Sequence, residues 1–518
     1  MSYNSYIADM HLNLHPEQLS QLEKWYEHCR KFSDYFTIAY YPYHMVKCPG
    51  GFMAEQPIEE DVAREQWGAI AAFLSEHAER DGFPSFLGYE WQGAGLDGDH
   101  NVYFKDDRAP LVLCDRYEEL VKELKDLDAI GIPHHLAYSL GNRGKNWETH
   151  DELFSPLAEV YSHHGSSERD LTDLPMQRHI HMGPRVDETS VASGIKHGVH
   201  MGFIASGDNH EVPAMVKNGR AGVWATDLTK EAIWDALVSR RTFGFTGSKI
   251  SVWTELGEIE MGGIGTCSRD MAEYCVDICA NSRVQRVELY RNGDLEDIRA
   301  VKVSPRPSEG DERVRIKFRI ECGWGPNVKF FPEFTTKLWA GHMETDATVV
   351  SVEPVFASFE TDFDIEDEHN VAFTAKSQKT AGGRWMRDSE MRTEGFIFEL
   401  EGRLNDSVKL VIDGMERSYT LAQLLEGTSI IVFEEQAKRL MKECCGIEEY
   451  RRSDSWYHNA YKVRVCQASL SDEYEVHATF DVPVANEETS YYVRVVQADG
   501  QVAWSSPTWV RHEVPAVR

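Results

Sequence analysis

Several short stretches of this chain close an apolar run with residues that ligate metals or move protons. The clearest is Gly202-Phe203-Ile204-Ala205-Ser206-Gly207-Asp208-Asn209-His210. Phe203, Ile204 and Ala205 suit a buried strand, Ser206 and Gly207 break it, and Asp208 and His210 sit two apart. In extended geometry that spacing sends both side chains to one side. A carboxylate and an imidazole at the C-terminal end of a strand form half of a divalent-metal site. The pattern recurs upstream: Glu90 near the end of 84–91, His134 and His135 after 130–133, and His163 and His164 at the end of 157–164. Residues 6–15 alternate Ala8, Met10, Leu12 and Leu14 with Asp9, His11, Asn13 and His15, a period-two strand whose polar face carries four potential ligands. Sixteen of the 21 histidines precede residue 211, which concentrates ligand and acid–base chemistry in the first half.

The elements that must position these residues alternate in type. Helical periodicity covers 16–33, 62–79, 117–127, 191–196 and 230–239, and strands are expected at 34–40, 84–91, 98–104, 130–135, 157–164, 202–205 and 223–226. His44 follows the second strand, and the partly polar segment 45–61 is expected to cover the mouth of a site. Alternation implies βα units with a parallel sheet, and ligands at the ends of several strands imply a TIM-like barrel. A doubly wound sheet would carry a Gly-rich phosphate loop, and neither G-x-G-x-x-G nor G-x-x-x-x-G-K-[ST] occurs. After about residue 250 alternating strands dominate, an Asn292-Gly293 pair marks a hairpin, and only 434–442 reads clearly as helix. The expected organisation is α/β: a metal-binding barrel over 1–249, then an antiparallel β-sandwich region over 250–518, with a second sandwich inserted around 325–480.

Composition sets the outer limits. The formal charge of −31 disfavours nucleic acid or an anionic membrane as partner. No secretory signal and no run of 18 apolar residues is present. The ten cysteines include no C-x-x-C pair, which suits free thiols in a cytoplasmic protein.

Taken together, Gly88-Tyr89-Glu90-Trp91, Gly98-Asp99-His100-Asn101-Val102-Tyr103-Phe104, Ile132-Pro133-His134-His135, the stretch from Glu159 to Glu168, Ser206-Gly207-Asp208-Asn209-His210 and the late Trp504-Ser505-Ser506-Pro507 resemble the PHP (polymerase and histidinol phosphatase) metallohydrolase superfamily, and within it the carbaryl-hydrolase-like branch. The resemblance spans nearly the whole chain and rests on the order of the motifs. It implies a distorted (β/α)7 barrel holding two or three divalent metals (Mn, Fe or Zn). Carried over, the metal ligands are His11, Asn13, His44, Glu90, His134, His164, Asp208 and His210, with Glu90 bridging. The superfamily's opening His-x-His is His11-Leu12-Asn13 here, and an amide oxygen suits hard cations better than zinc.

The expected activity is metal-dependent hydrolysis of a small ester: phosphoester, phosphonate ester, carbamate or carboxylate ester. His100 and His135 are the expected proton donors to the leaving group. Arg143 and Lys145, just past a ligand strand, are the expected clamps for an anionic substrate. The partner is then a small molecule, with homo-oligomers allowed. The competing expectation is a degenerate barrel that binds metal or ligand without turnover.

Overall fold

The computed structural model describes residues 3–49, 53–169, 173–174, 185–208, 210, 219–307, 310–323, 336–356, 359–378, 393–446 and 461–513. Asn209, inside the motif at 206–210, lies outside them. The helices Leu22–Phe32, Glu60–Asp81, Tyr117–Leu124, Val191–Lys196 and Lys230–Val238 stand where the apolar periodicity places them. The segment read as 6–15 is two strands, Asn4–Ala8 and Asn13–Leu14, with a bend between them. Within the segment 45–61 expected to cover a site, the strand Met53–Pro57 pairs with Tyr43–Lys47 as an antiparallel hairpin.

The first half is α/β, but no closed parallel barrel forms among the described residues. Asn13–Leu14, Ala39–Tyr40 and Ser85–Trp91 run parallel in one sheet, and Leu157–Ser162 and Gly202–Ala205 run parallel in another. His100–Phe104 runs antiparallel to both of its neighbours, Ser85–Trp91 and Ala129–Pro133. Residues 92–99 are too short for the crossover that a parallel partner needs. The reversal has a consequence for chemistry. Trp91 pairs with His100 and His100 with Pro133, so the start of this strand lies at the same end as the finish of its neighbours.

Close packing fixes that end. A Cβ on Gly88 would meet the Tyr103 ring at 2.4 Å, so only glycine lets the ring cross the strand there. The Tyr103 hydroxyl then donates to the Met10 carbonyl, directly before His11. Around these lie Ala8, Met10, Ile130, Ile132, Ile204 and Val223, all buried.

The second half is antiparallel except where Ile264–Cys267 runs parallel to Thr508–His512. One continuous sheet joins the two halves: Asn4–Ala8, Gly219–Ala225, Thr242–Thr246, Val502–Ser505, Thr489–Gln497, Val284–Arg291 and Asp294–Ala300 follow one another in hydrogen-bonded order. A four-stranded sheet containing Ile250–Leu256 and Met271–Ala280 packs against it through Phe245, Val252, Tyr274, Val287 and Val493. A second pair of sheets is built from strands between Arg313 and Leu470 around Phe318, Trp339, Phe396 and Phe398. Asn292 and Gly293 both take positive φ, as the Asn-Gly hairpin requires. Every cysteine with a described side chain is a free thiol. No helix among the described residues is long and apolar enough to cross a membrane.

Candidate metal centre

Two buried groups of ligand atoms converge at the common strand end. Glu90, Asp99, His134 and His135 form one, and His135, His164 and Asp208 the other. Within each group the ligand atoms lie within 4.8 Å of one another, and His135 belongs to both. Glu90 sits between two imidazoles, with Oε2 3.3 Å from His11 Nε2 and Oε1 3.5 Å from His134 Nε2. Asp208 Oδ2 is 3.0 Å from His164 Nε2 and 3.9 Å from His135 Nδ1. Its Oδ1 is 3.4 Å from His210 Nε2 and 3.6 Å from His11 Nε2. His11 therefore reaches both carboxylates.

Supporting groups aim these side chains. Glu159 Oε2 takes His11 Nδ1 at 2.9 Å, which turns Nε2 toward the cluster, and Ser206 donates to the same oxygen. Tyr138 Oη lies 2.8 Å from His164 Nδ1. Asp9 Oδ1 accepts from His11 N at 3.0 Å and Gly207 N at 2.8 Å, tying the segments of His11 and Asp208 together. A Cβ on Gly207 would lie 2.1 Å from the Asp9 carboxylate. The backbone is strained where it delivers ligands: His135 and Asp208 both take left-handed φ, +52° and +49°. Non-glycine residues hold that conformation only where the surroundings enforce it.

The charges are set by burial and by each other. Burial pushes the Glu90 carboxyl up, but hydrogen bonds from His11 and His134 outweigh it and hold the group well below the usual carboxylate range. Asp208 is likewise low despite burial, held there by His11, His164 and His210. Burial raises Asp99 to about 7 even with the Arg143 guanidinium 3.4 Å away. Burial and the neighbouring rings of His164 and His134 push His135 well down, toward the neutral form that binds metal.

The donor set fits a divalent ion. Both Asp99 oxygens, His134 Nδ1, His135 Nδ1 and Asn13 Oδ1 are buried without a hydrogen-bond partner among the described residues. Buried polar atoms normally find partners, and a concentration of orphans in one place marks a missing ligand. Imidazole nitrogens with carboxylate oxygens suit zinc, manganese or iron.

The residues singled out in the sequence divide sharply. Glu90, His134, His135, His164, Asp208 and His11 come together. His210 joins through Asp208 and is partly exposed. Asn13 reaches it with its amide nitrogen, 3.5 Å from Asp208 Oδ1 and 3.2 Å from His210 Nε2. His15 backs His210, with Nε2 2.8 Å from His210 Nδ1. His44 stands on the hairpin, about half exposed, paired with Glu17 and away from the cluster. His100 points to the opposite face of its strand, stacked on Tyr117 at 4.6 Å. Lys145 follows it there, buried 3.3 Å from His100 Nε2 and 4.1 Å from the Tyr117 ring centre. Arg143 lies at the edge, with Nη2 2.9 Å from Glu55 on the hairpin.

Sequence reasoning overlooked Asp99 and Glu159. In Gly98-Asp99-His100 it favoured the histidine, but strand parity turns His100 outward with Val102 and Phe104, which pack in the outer core beside Tyr117. Glu159 carried a signal, a lone carboxylate between Ala158 and Val160 in a buried strand.

Comparisons with known proteins are sparse. A family described as "Protein of unknown function (DUF3604)" matches residues 179–257, well under half of the chain but including Asp208 and His210. An uncharacterized protein of Chlamydia pneumoniae is 23% identical over 260 residues, covering 46% of this chain and 41% of the relative. The match thus spans about two fifths of that curated relative's length. A solved two-domain protein of Bacteroides vulgatus, described as containing a "predicted PHP-like metal-dependent phosphoesterase", aligns with 81% of this chain and 95% of its own at 12% identity, with a TM-score of 0.31.

Proposed function

We propose that the protein is a metal-dependent hydrolase of a small ester. The observation that carries this reading is the convergence of two ligand groups on His135 with orphaned buried oxygens and nitrogens between them. Glu90, Asp99, His134 and His135 would hold one ion, and His135, His164 and Asp208, with His11 and His210 adjacent, would hold another. A divalent ion there supplies Lewis acidity and a more acidic water. The chain does the rest. Glu159 and Tyr138 orient His11 and His164. Asp9 holds the two ligand segments in register. Arg143, partly exposed beside Asp99, faces an anionic oxygen of the substrate. His135 serves as ligand in this scheme rather than as proton donor, and His100 and Lys145 serve packing behind the site.

The substrate remains within the classes phosphoester, phosphonate ester, carbamate and carboxylate ester. One observation favours the second reading, a degenerate site that binds metal or ligand without turnover: Asn13 presents its amide nitrogen, a donor, to Asp208 and His210. The deciding experiment measures metal by plasma mass spectrometry on tag-free protein, then chelation and add-back during assays with p-nitrophenyl phosphate, a phosphonate ester, a carbamate and an acetate. Stoichiometric metal, with hydrolysis lost and regained alongside it, supports the hydrolase. Metal absent, or bound with no turnover on any of the four, overturns the hydrolase and favours the binding protein.

A further inference from the structure

A second polar cavity, of about 280 Å³, lies where the two β-sandwich regions meet, far along the chain from the metal centre. One wall is the outer face of the strand Arg313–Gly323. Val314, Ile316, Phe318, Ile320 and Cys322 of that strand fill the inserted core, so parity turns Arg315, Lys317, Arg319 and Glu321 the other way. The opposite wall is Asn281, Ser282 and Arg283, with Asp499 from the turn before Val502–Ser505. Arg306 and Arg464 complete the lining.

The cavity is basic in a strongly acidic chain. Five of its lining residues are Lys or Arg and one, Asp499, is acidic, although the chain has 85 Asp and Glu against 54 Lys and Arg. Three of the five cations have carboxylate partners. Arg319 contacts Asp499 at 2.9 Å and Glu321 at 3.2 Å, Arg306 contacts Glu473 at 2.9 Å, and Arg464 pairs with Glu321. Lys317 and Arg283 have no carboxylate within 4.0 Å among the described residues. Lys317 is the telling one. It is 6% exposed, and among the described residues its ammonium meets the Ala280 carbonyl at 3.1 Å, the Asn281 amide oxygen at 3.3 Å and the Tyr474 ring. Its cross-strand neighbour Glu399 is taken by Arg315, Tyr474 and Ser351. A buried ammonium without a counter-charge is costly, and an anion in the cavity would remove that cost.

We propose that this cavity binds a small oxyanion carrying two or more negative charges, a phosphate- or carboxylate-bearing molecule held by Lys317 and Arg283 and flanked by the Arg319 and Arg464 guanidiniums. Guanidinium groups match the paired oxygens of either anion. A neighbouring cavity of about 240 Å³ shares Arg319, Arg464 and Asp499 with it and reaches Tyr161. Tyr161 lies on the strand that carries Glu159, so the site sits at the junction of all three regions. The proposal stands independently of the hydrolase reading.

The test is isothermal titration calorimetry on the full chain at constant ionic strength, with pyrophosphate in one arm and citrate in the other. Both anions also chelate metals, so the titrations are repeated in His134→Ala, which weakens the other centre. Saturable binding of one anion per chain is expected in both backgrounds, and the preferred arm identifies phosphate or carboxylate chemistry. Lys317→Met and Arg283→Ala should each weaken it about tenfold or more. Absence of saturable heat with either anion overturns the proposal, as does unchanged affinity in the variants or loss of binding in His134→Ala alone. Arg283 is only partly buried, so Arg283→Ala keeps the test valid if Lys317→Met does not fold.

Discussion

The metal centre and the cluster around Arg494 are both buried and both charged, yet they are built on opposite principles. Arg494 spends each guanidinium nitrogen on a different carboxylate: Nε on Glu288 at 2.6 Å, Nη1 on Glu168 at 3.2 Å and Nη2 on Asp173 at 2.9 Å. Tyr492 and Tyr290 donate to the same carboxylates, at 3.0 and 3.1 Å. None of the side-chain polar atoms of Glu168, Glu288 or Arg494 is orphaned. The metal centre, by contrast, leaves Asp99 without a hydrogen bond and sets imidazole against imidazole, with the His135 and His164 ring centres 4.0 Å apart. A polar cluster that only holds a fold completes its bonds. One that leaves them open, at strained backbone, is shaped for something that is not protein.

That contrast can be broken by mutation. The largest effect is expected at the open cluster: His134→Ala or Asp208→Ala should lower ester hydrolysis by about a thousandfold or more, with circular dichroism unchanged. Turnover near wild type in either variant would remove the site assignment. The closed cluster should respond in stability instead. Arg494→Met strands Glu168 in the interior, while Glu288 keeps Arg286 at 2.6 Å, and should cost about 3–5 kcal/mol in denaturant titrations, as breaking a buried ion pair does. Metal content should be unchanged, and its loss would merge the two clusters into one functional unit.

Much of the open cluster was legible in the sequence because strand ends carry their ligands beside apolar runs. Glu90, His134, His164 and Asp208 all follow that rule. Its failures share a cause, which is that pairing direction and parity are not written in local pattern. Asp99 reaches the site from the start of a strand, because His100–Phe104 is antiparallel, and the same reversal turns His100 away. His44 looked like a strand-end ligand, but it lies inside a hairpin strand.

Two smaller effects sharpen the comparison. Glu159→Gln keeps the shape but weakens the hold on His11 Nδ1, so metal affinity should fall about 10–100-fold. An unchanged affinity, measured by competition with a chelator, would reduce Glu159 to a packing residue. Lys145 provides a pH test behind the site. Burial depresses its ammonium to about 7. Between that value and the ordinary lysine range the unfolded chain binds the proton and the folded chain does not, so this group makes stability rise with pH. Below about 7 both states bind it and the slope ends. Lys145→Met should flatten the stability profile between pH 7 and 10 relative to wild type, and parallel profiles would refute the depressed ammonium.

The continuous sheet across the two halves also has a temporal side. Ser506 Oγ accepts from Phe203 N at 2.8 Å and contacts Thr242 Oγ1 at 2.9 Å, and Val502–Ser505 is a strand neighbour of Thr242–Thr246. The strand that leads into Asp208 is thus braced by a residue made 303 positions later. At roughly 5–20 residues per second, a ribosome reaches that brace about 15–50 s after finishing the first half. During that interval the nascent N-terminal half exposes an unpaired sheet edge at Thr242–Thr246, an open template for misplaced pairing until the closing strand emerges.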